Sequence, residues 1–99
     1  MTVTPTQDGT HTTLAVEGRV DTNTSPQLQA AILRVFQSAK LLTLDFERVP
    51  YISSAGLRAL LIGQKTAAAK GAAMELVHIQ EQVMSVLEMS GFDGILTIR

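Results

Sequence analysis

The chain contains no cysteine. That excludes a disulfide framework, a thiolate metal site and a cysteine nucleophile. An excess of charge of one sign is also missing: 8 Lys and Arg stand against 9 Asp and Glu, and the formal net charge is −1. Without a basic run, nothing resembles the positive stripe by which domains hold nucleic-acid phosphates, and no nucleic-acid partner is expected. Histidine is scarce, and His11 and His78 lack the supporting acidic spacing of a metal site. Apolar runs fall far short of the ~20 residues a membrane helix needs. The start, Met1-Thr2-Val3-Thr4-Pro5, has no basic segment followed by an apolar one, so it is not a signal peptide. No glycine-rich phosphate loop, linker, repeat or low-complexity tract occurs, and no cofactor is implied. These absences point to the cytoplasm, with no membrane contact.

What is present suits one domain over residues 1–99. With 45% hydrophobic and 17% charged residues, 99 residues can bury a single core. Thr12–Glu17 alternates Leu14 and Val16 with polar neighbours, the pattern of a half-buried strand. A weaker strand, Thr2–Gln7, precedes it across a turn at Asp8-Gly9. After Gly18-Arg19-Val20-Asp21 the chain enters a polar loop, in which Thr24 or Ser25 can cap a helix with Pro26 in its first turn. That helix carries the stripe Leu28, Ile32, Val35 and Phe36.

Leu41–Phe46 is apolar on both faces until Asp45, which suits a strand covered on both sides or a central one. Val49-Pro50-Tyr51-Ile52 connects it to a second helix, from Ser54 to about Lys70, ended by Gly71. Strand Met74–Ile79, helix Glu81–Ser90 closed by Gly91, and strand Ile95–Ile98 complete the chain. The order β-β-α-β-α-β-α-β predicts an α/β fold, a mixed sheet of four to five strands flanked by three or more helices.

In the second helix, a 3.6-residue period puts Leu57, Leu60, Leu61, Gln64, Ala67 and Ala68 on the core face. Ala55, Arg58, Ala59, Ile62, Thr66 and Ala69 then face outward, with Ile62 as one larger anchor among small residues. Such a face suits close docking by a partner. Ser53 and Ser54 stand where this helix begins. Serine is a preferred N-cap, contributing about 1 kcal/mol, and a cap serine is also accessible on a fixed backbone. Phosphorylation there would add about −1.5 to −2 charges, which a helix N-terminus accepts with a gain of ~0.3–1 kcal/mol. The cost would fall on whatever docks beside it. A loss of ~3 kcal/mol turns a tight complex into a transient one.

Gly18-Arg19-Val20-Asp21, Asp45-Phe46, Val49-Pro50-Tyr51-Ile52-Ser53-Ser54-Ala55-Gly56-Leu57 and Met89-Ser90-Gly91-Phe92 together resemble the STAS domains of bacterial anti-sigma factor antagonists. The resemblance covers nearly the whole chain and is most specific at Ser-Ser-Ala-Gly-Leu. It implies the STAS fold and a partner switch. In that scheme the unphosphorylated antagonist, a monomer when free, sequesters a Ser/Thr kinase anti-sigma factor of histidine-kinase-like ATP fold. The kinase releases itself by phosphorylating one serine, and a metal-dependent Ser/Thr phosphatase resets the system. By position the acceptor is Ser54, with Ser53 the second choice. The loop acid is Asp21, expected near Ser54 and in the kinase contact with Thr22 and Asn23. Ser53, Ala55, Gly56, Arg58, Ala59 and Ile62 complete the expected partner-binding set. Many members have Asp where this chain has Ser53.

Three other readings compete. Ser54-Ala55-Gly56 is half of a nucleophile elbow, but Ile52 occupies the place of the first glycine, which argues against a hydrolase. The same switch can control a non-sigma output such as a secretion system. A STAS domain can also serve as a constitutive, unphosphorylated scaffold.

Overall fold

The computed structural model describes residues 1–99. Two strands, β1 (Thr2–Asp8) and β2 (His11–Glu17), form an antiparallel hairpin. Asp8 pairs with His11, so the two-residue turn is Gly9-Thr10 and not Asp8-Gly9. Gly9 has a φ of 63°, which glycine supplies without strain at the first turn position. Three crossovers follow: α1 (Ser25–Val35) to β3 (Leu41–Arg48), α2 (Ser54–Ala69) to β4 (Ala73–Val77), and α3 (Glu81–Met89) to β5 (Thr97–Ile98). The sheet order is β1-β2-β3-β4-β5, with every pair after the first parallel. This is the predicted mixed sheet with three helices, and β3 is its central strand.

Strand order that follows chain order, with crossovers of one hand, places all three helices on one face of the sheet. Burial agrees. Leu14 and Val16, Leu42, Leu44 and Phe46, and Met74 and Leu76 all join one core with Leu28, Ile32, Leu57, Leu60 and Leu87 from the helices. The intervening residues Thr13, Ala15, Asp45 and Glu75 lie half-buried or exposed on the other face. The apolar run of β3 therefore marks a central strand, not one sandwiched between helices. β1 is a solvent-facing edge, and Pro5 is tolerated there because an edge strand can spare an N–H.

β4 stops at Val77, short of the expected Ile79, where His78 takes a φ of 57°, and two further elements differ more from the sequence expectation. The last strand keeps only Thr97 and Ile98, because a 3-10 turn over Phe92–Gly94 precedes it and leaves Ile95 exposed. The core face of α2 is also rotated, by roughly 70° about its axis. Gly56, Leu57, Ala59, Leu60, Gly63 and Ala67 are buried, whereas Leu61 and Gln64 are half-buried and Ala68 is exposed. The reason is close approach. A Cβ on Gly63 would lie 2.9 Å from both Ile32 of α1 and Met74 of β4, so the smallest residues face the tightest contact. A pattern weighted by large apolar residues misses that face.

The uncovered face carries a polar row across β2, β3 and β4 that ends on Arg99, the residue after β5. The Thr43 hydroxyl donates to Glu75 Oε2 at 2.8 Å and lies 2.8 Å from His11 Nε2. Its single proton goes to the carboxylate, so His11 Nε2 must carry the hydrogen of the other bond. Arg99 donates to both oxygens of Glu75, at 2.9 and 3.0 Å. These Arg99 bonds, followed by the Thr43 hydroxyl, hold the Glu75 carboxyl below its ordinary 4.5 against the opposing effect of burial. A carboxyl lowered on folding stabilises above its ordinary value and loses that contribution as pH falls through its folded value. Glu75→Gln should therefore cost about 1 kcal/mol at pH 7 and progressively less toward pH 3, as read by urea denaturation at both pH values. An equal loss at both would show that the charge does not matter.

Candidate functional site

Ser54 opens α2, and its setting depends on how two loops meet above the parallel strands. Beyond β2 and β3 the backbones continue to pair: Gly18 N–H donates to the Arg48 carbonyl at 3.0 Å and Val20 N–H to the Tyr51 carbonyl at 3.0 Å. Ser53 N–H returns to the Val20 carbonyl at 2.9 Å, and Val20 and Ile52 form a parallel bridge. Both side chains are buried. Gly56 fits beneath them because it has no side chain: a Cβ there would lie 2.7 Å from Ile52 Cγ1 and 2.8 Å from Val20 Cγ1. The loop before α1 and the first turn of α2 are thus one packed unit.

Asp21 organises that loop. Its Oδ1 accepts from the backbone N–H groups of Asn23 and Thr24, each at 3.0 Å. Its own N–H donates to the Thr24 hydroxyl at 2.9 Å, and that hydroxyl donates to the Arg19 carbonyl at 2.7 Å. The Thr24 N–H bond, above all, lowers the Asp21 carboxyl from its ordinary value against the opposing effect of desolvation, aided by the Thr24 hydroxyl, Asn23 N–H and Arg19. Asp21 is therefore ionised at neutral pH, and the ordering it gives is lost only as pH falls through its lowered value. Thr24 occupies the cap position of α1, but its side chain is spent on the loop and does not cap the helix. Thr22 and Asn23 are exposed at the loop tip.

The two serines have separate roles. Ser53 is the N-cap of α2, and its Oγ accepts from Gly56 N–H at 3.3 Å. Ser54 is the first helical residue, exposed, and its hydroxyl has no hydrogen-bond partner in the protein. Arg58, one turn on, is exposed as well. Ala55 and Ile62 are half-buried and offer only part of their surface. Gly56 and Ala59 are both buried, Ala59 at 1% exposure, so Ala59 lies inward and not on the outer face that the helical period predicts. The rotation of α2 that turns Gly63 inward carries Ala59 in with it.

Two residues at this site escaped the sequence reading. The Arg19 guanidinium lies 4.1 Å from the centroid of the Tyr51 ring, while its Nε is 3.8 Å from Asp21 Oδ2. Tyr51 remains 40% exposed. Periodicity carries no signal for a contact between two irregular segments, although both residues lie within the motifs quoted above.

Comparison with known proteins agrees with this fold. The STAS family model described as Mlab, STAS domain, matches residues 3–97. The chain belongs to the STAS domain family. It is 32% identical over 84 residues to BtrV of Bordetella bronchiseptica, a protein provisionally named an anti-sigma factor antagonist, covering 84% of this chain and 72% of that one. Its fold matches the crystal structure of an anti-sigma factor antagonist from Mycobacterium paratuberculosis, with a TM-score of 0.86 at 21% identity over 98% of this chain and 83% of the other. It also matches the Bacillus cell fate determinant SpoIIAA in its phosphorylated form, with a TM-score of 0.76 at 18% identity over 99% and 91% of the two chains.

Ser53 is a strong capping residue, as Asp would be in its place. The division of labour between the serines has a measurable consequence. Ser53→Ala should cost about 1 kcal/mol in urea denaturation, and Ser54→Ala less than about 0.5 kcal/mol. The reverse order would exchange the two roles. Gly56→Ala should destabilise by about 1–3 kcal/mol, because Ile52 and Val20 must move to admit a methyl group. A variant as stable as the parent would show that the packing is loose.

Proposed function

We propose that this STAS domain is an anti-sigma factor antagonist controlled by phosphorylation of Ser54. The unphosphorylated chain binds and sequesters a Ser/Thr kinase anti-sigma factor of histidine-kinase-like ATP fold. Transfer of the ATP γ-phosphoryl group to Ser54 Oγ, with release of ADP and the hydroxyl proton, separates the two proteins. A metal-dependent phosphatase hydrolyses the phosphoserine and restores binding. One observation carries this reading: Ser54 is exposed with an unoccupied hydroxyl because the adjacent Ser53 already serves the helix cap. A phosphate can be added without removing a structural bond.

The names of the similar proteins from Bordetella and Mycobacterium support the antagonist role. The surroundings of Ser54 do not support a hydrolase. His11 is bonded to Thr43 and His78 Nδ1 to Asp45 at 3.1 Å, and no hydrogen bond joins either ring to Ser54. The concavity lined by Ala15, Val16, Asp45, Glu47 and Arg48 has a volume of about 50 Å³, far below the several hundred Å³ of a substrate site. The exposed arc around Ser54 and Arg58, with the Asp21 loop beside it, is a surface for a macromolecule.

Incubation with the cognate kinase and ATP should add one phosphate to the parent chain and none to Ser54→Ala, which still binds the kinase, as intact mass and calorimetry would show. Label on Ser53 would overturn the assignment. Ser54→Asp should weaken the kinase complex at least tenfold while shifting the melting temperature by less than about 2 °C. A large drop in melting temperature with unchanged affinity would make Ser54 a structural residue.

A further inference from the structure

We propose that Arg58 binds the phosphate group of phosphorylated Ser54 within the same chain, and so is withdrawn from the docking face when the switch is thrown. The inference rests on the phosphorylation of Ser54 and adds how the modified state is held. Residues four apart on a helix stand about 5–6 Å apart at their Cβ atoms, within reach of a guanidinium and a phosphate. In α2, residue 54 and residue 58 have this spacing, and both are exposed.

Three observations favour Arg58 over other groups. It has no ion-pair partner, whereas the ion pairs in the molecule take up Arg19, Arg48 and Arg99. Arg19, the other cation of the site, is occupied by the Asp21 carboxylate and the Tyr51 ring. The first turn of α2 contains no acidic residue to compete for Arg58 or to repel the phosphate. Guanidinium also matches phosphate geometry with two parallel N–H donors, which favours Arg over Lys in this place.

The consequence is a two-part change of the surface. In the unphosphorylated chain Arg58 is a free cation at the centre of the exposed arc of α2, available to an acidic group of a partner. After modification the same guanidinium turns toward residue 54, so the partner loses a cation and meets an anion. The phosphate changes the docking face one full turn beyond its point of attachment.

The test needs no kinase. Phosphoserine is installed at position 54 of the full chain by genetic encoding, and the second ionisation of the phosphate, ordinarily near 6, is followed by phosphorus NMR. A nearby cation favours the dianion. Arg58→Gln should raise this ionisation by about 0.3 pH unit, Arg58→Lys should recover part of the difference, and 1 M salt should remove most of it. The helix end contributes equally to all these variants and cancels in the comparison. Arg19→Gln should leave the ionisation unchanged. An unaltered value in Arg58→Gln, or a shift produced only by Arg19→Gln, overturns the proposal. Because the phosphate is placed without enzyme, that failure would leave the kinase reading intact, and a failed kinase reaction would not affect this measurement.

Discussion

The site rests on the backbone clasp between Val20 and the segment Tyr51–Ser53. Val20 gives its N–H to one end of that segment and its carbonyl to the other, and its side chain is fully buried. These bonds extend the parallel pairing of β2 and β3 past a bulge, and they bring together two loops that are remote in sequence, Val20 in one and Tyr51–Ser53 in the other. Gly56 closes the arrangement from below, since any side chain there would strike Ile52 and Val20. The position of Ser54, the direction of α2 and the stance of the Asp21 loop all follow from this contact.

Given the clasp, the chemistry separates cleanly between neighbouring residues. Ser53 lies at the cap and uses its oxygen on the backbone, while Ser54 begins the helix with a free hydroxyl. Asp21 spends its Oδ1 on ordering its own loop, which makes it first a positioning residue. The site is held by bonds and packing within the chain itself. Under the proposed phosphorylation of Ser54, the added charge would sit on a surface held by these bonds and would act on a docked partner.

Much of this was legible in the residues. Strand alternation at Leu14 and Val16, the apolar run of β3 and the cap and stop residues of the helices are local signals, and the element order follows from them. The motif around Ser54 was equally plain. What the pattern misjudged was α2, where Leu61 and Ala68 were expected inside and Ala59 outside. Hydrophobicity ranks leucine above glycine as a core residue, but the closest helix packing is made by the residues with the least side chain. Ile95 failed for a different reason. The 3-10 turn over Phe92–Gly94 consumes the length that the strand would have used.

By itself, the order of residues determined the elements, the family to which they belong and the serine pair at the head of a helix, because each is written in local spacing or in a contiguous motif. It did not decide which serine caps and which is free, which face of α2 is hidden, or that Arg19 stacks on Tyr51. Those outcomes depend on distances between segments remote in the chain, and they arise only when the sheet brings the two loops together and the small residues of α2 let the helix settle onto α1 and β4.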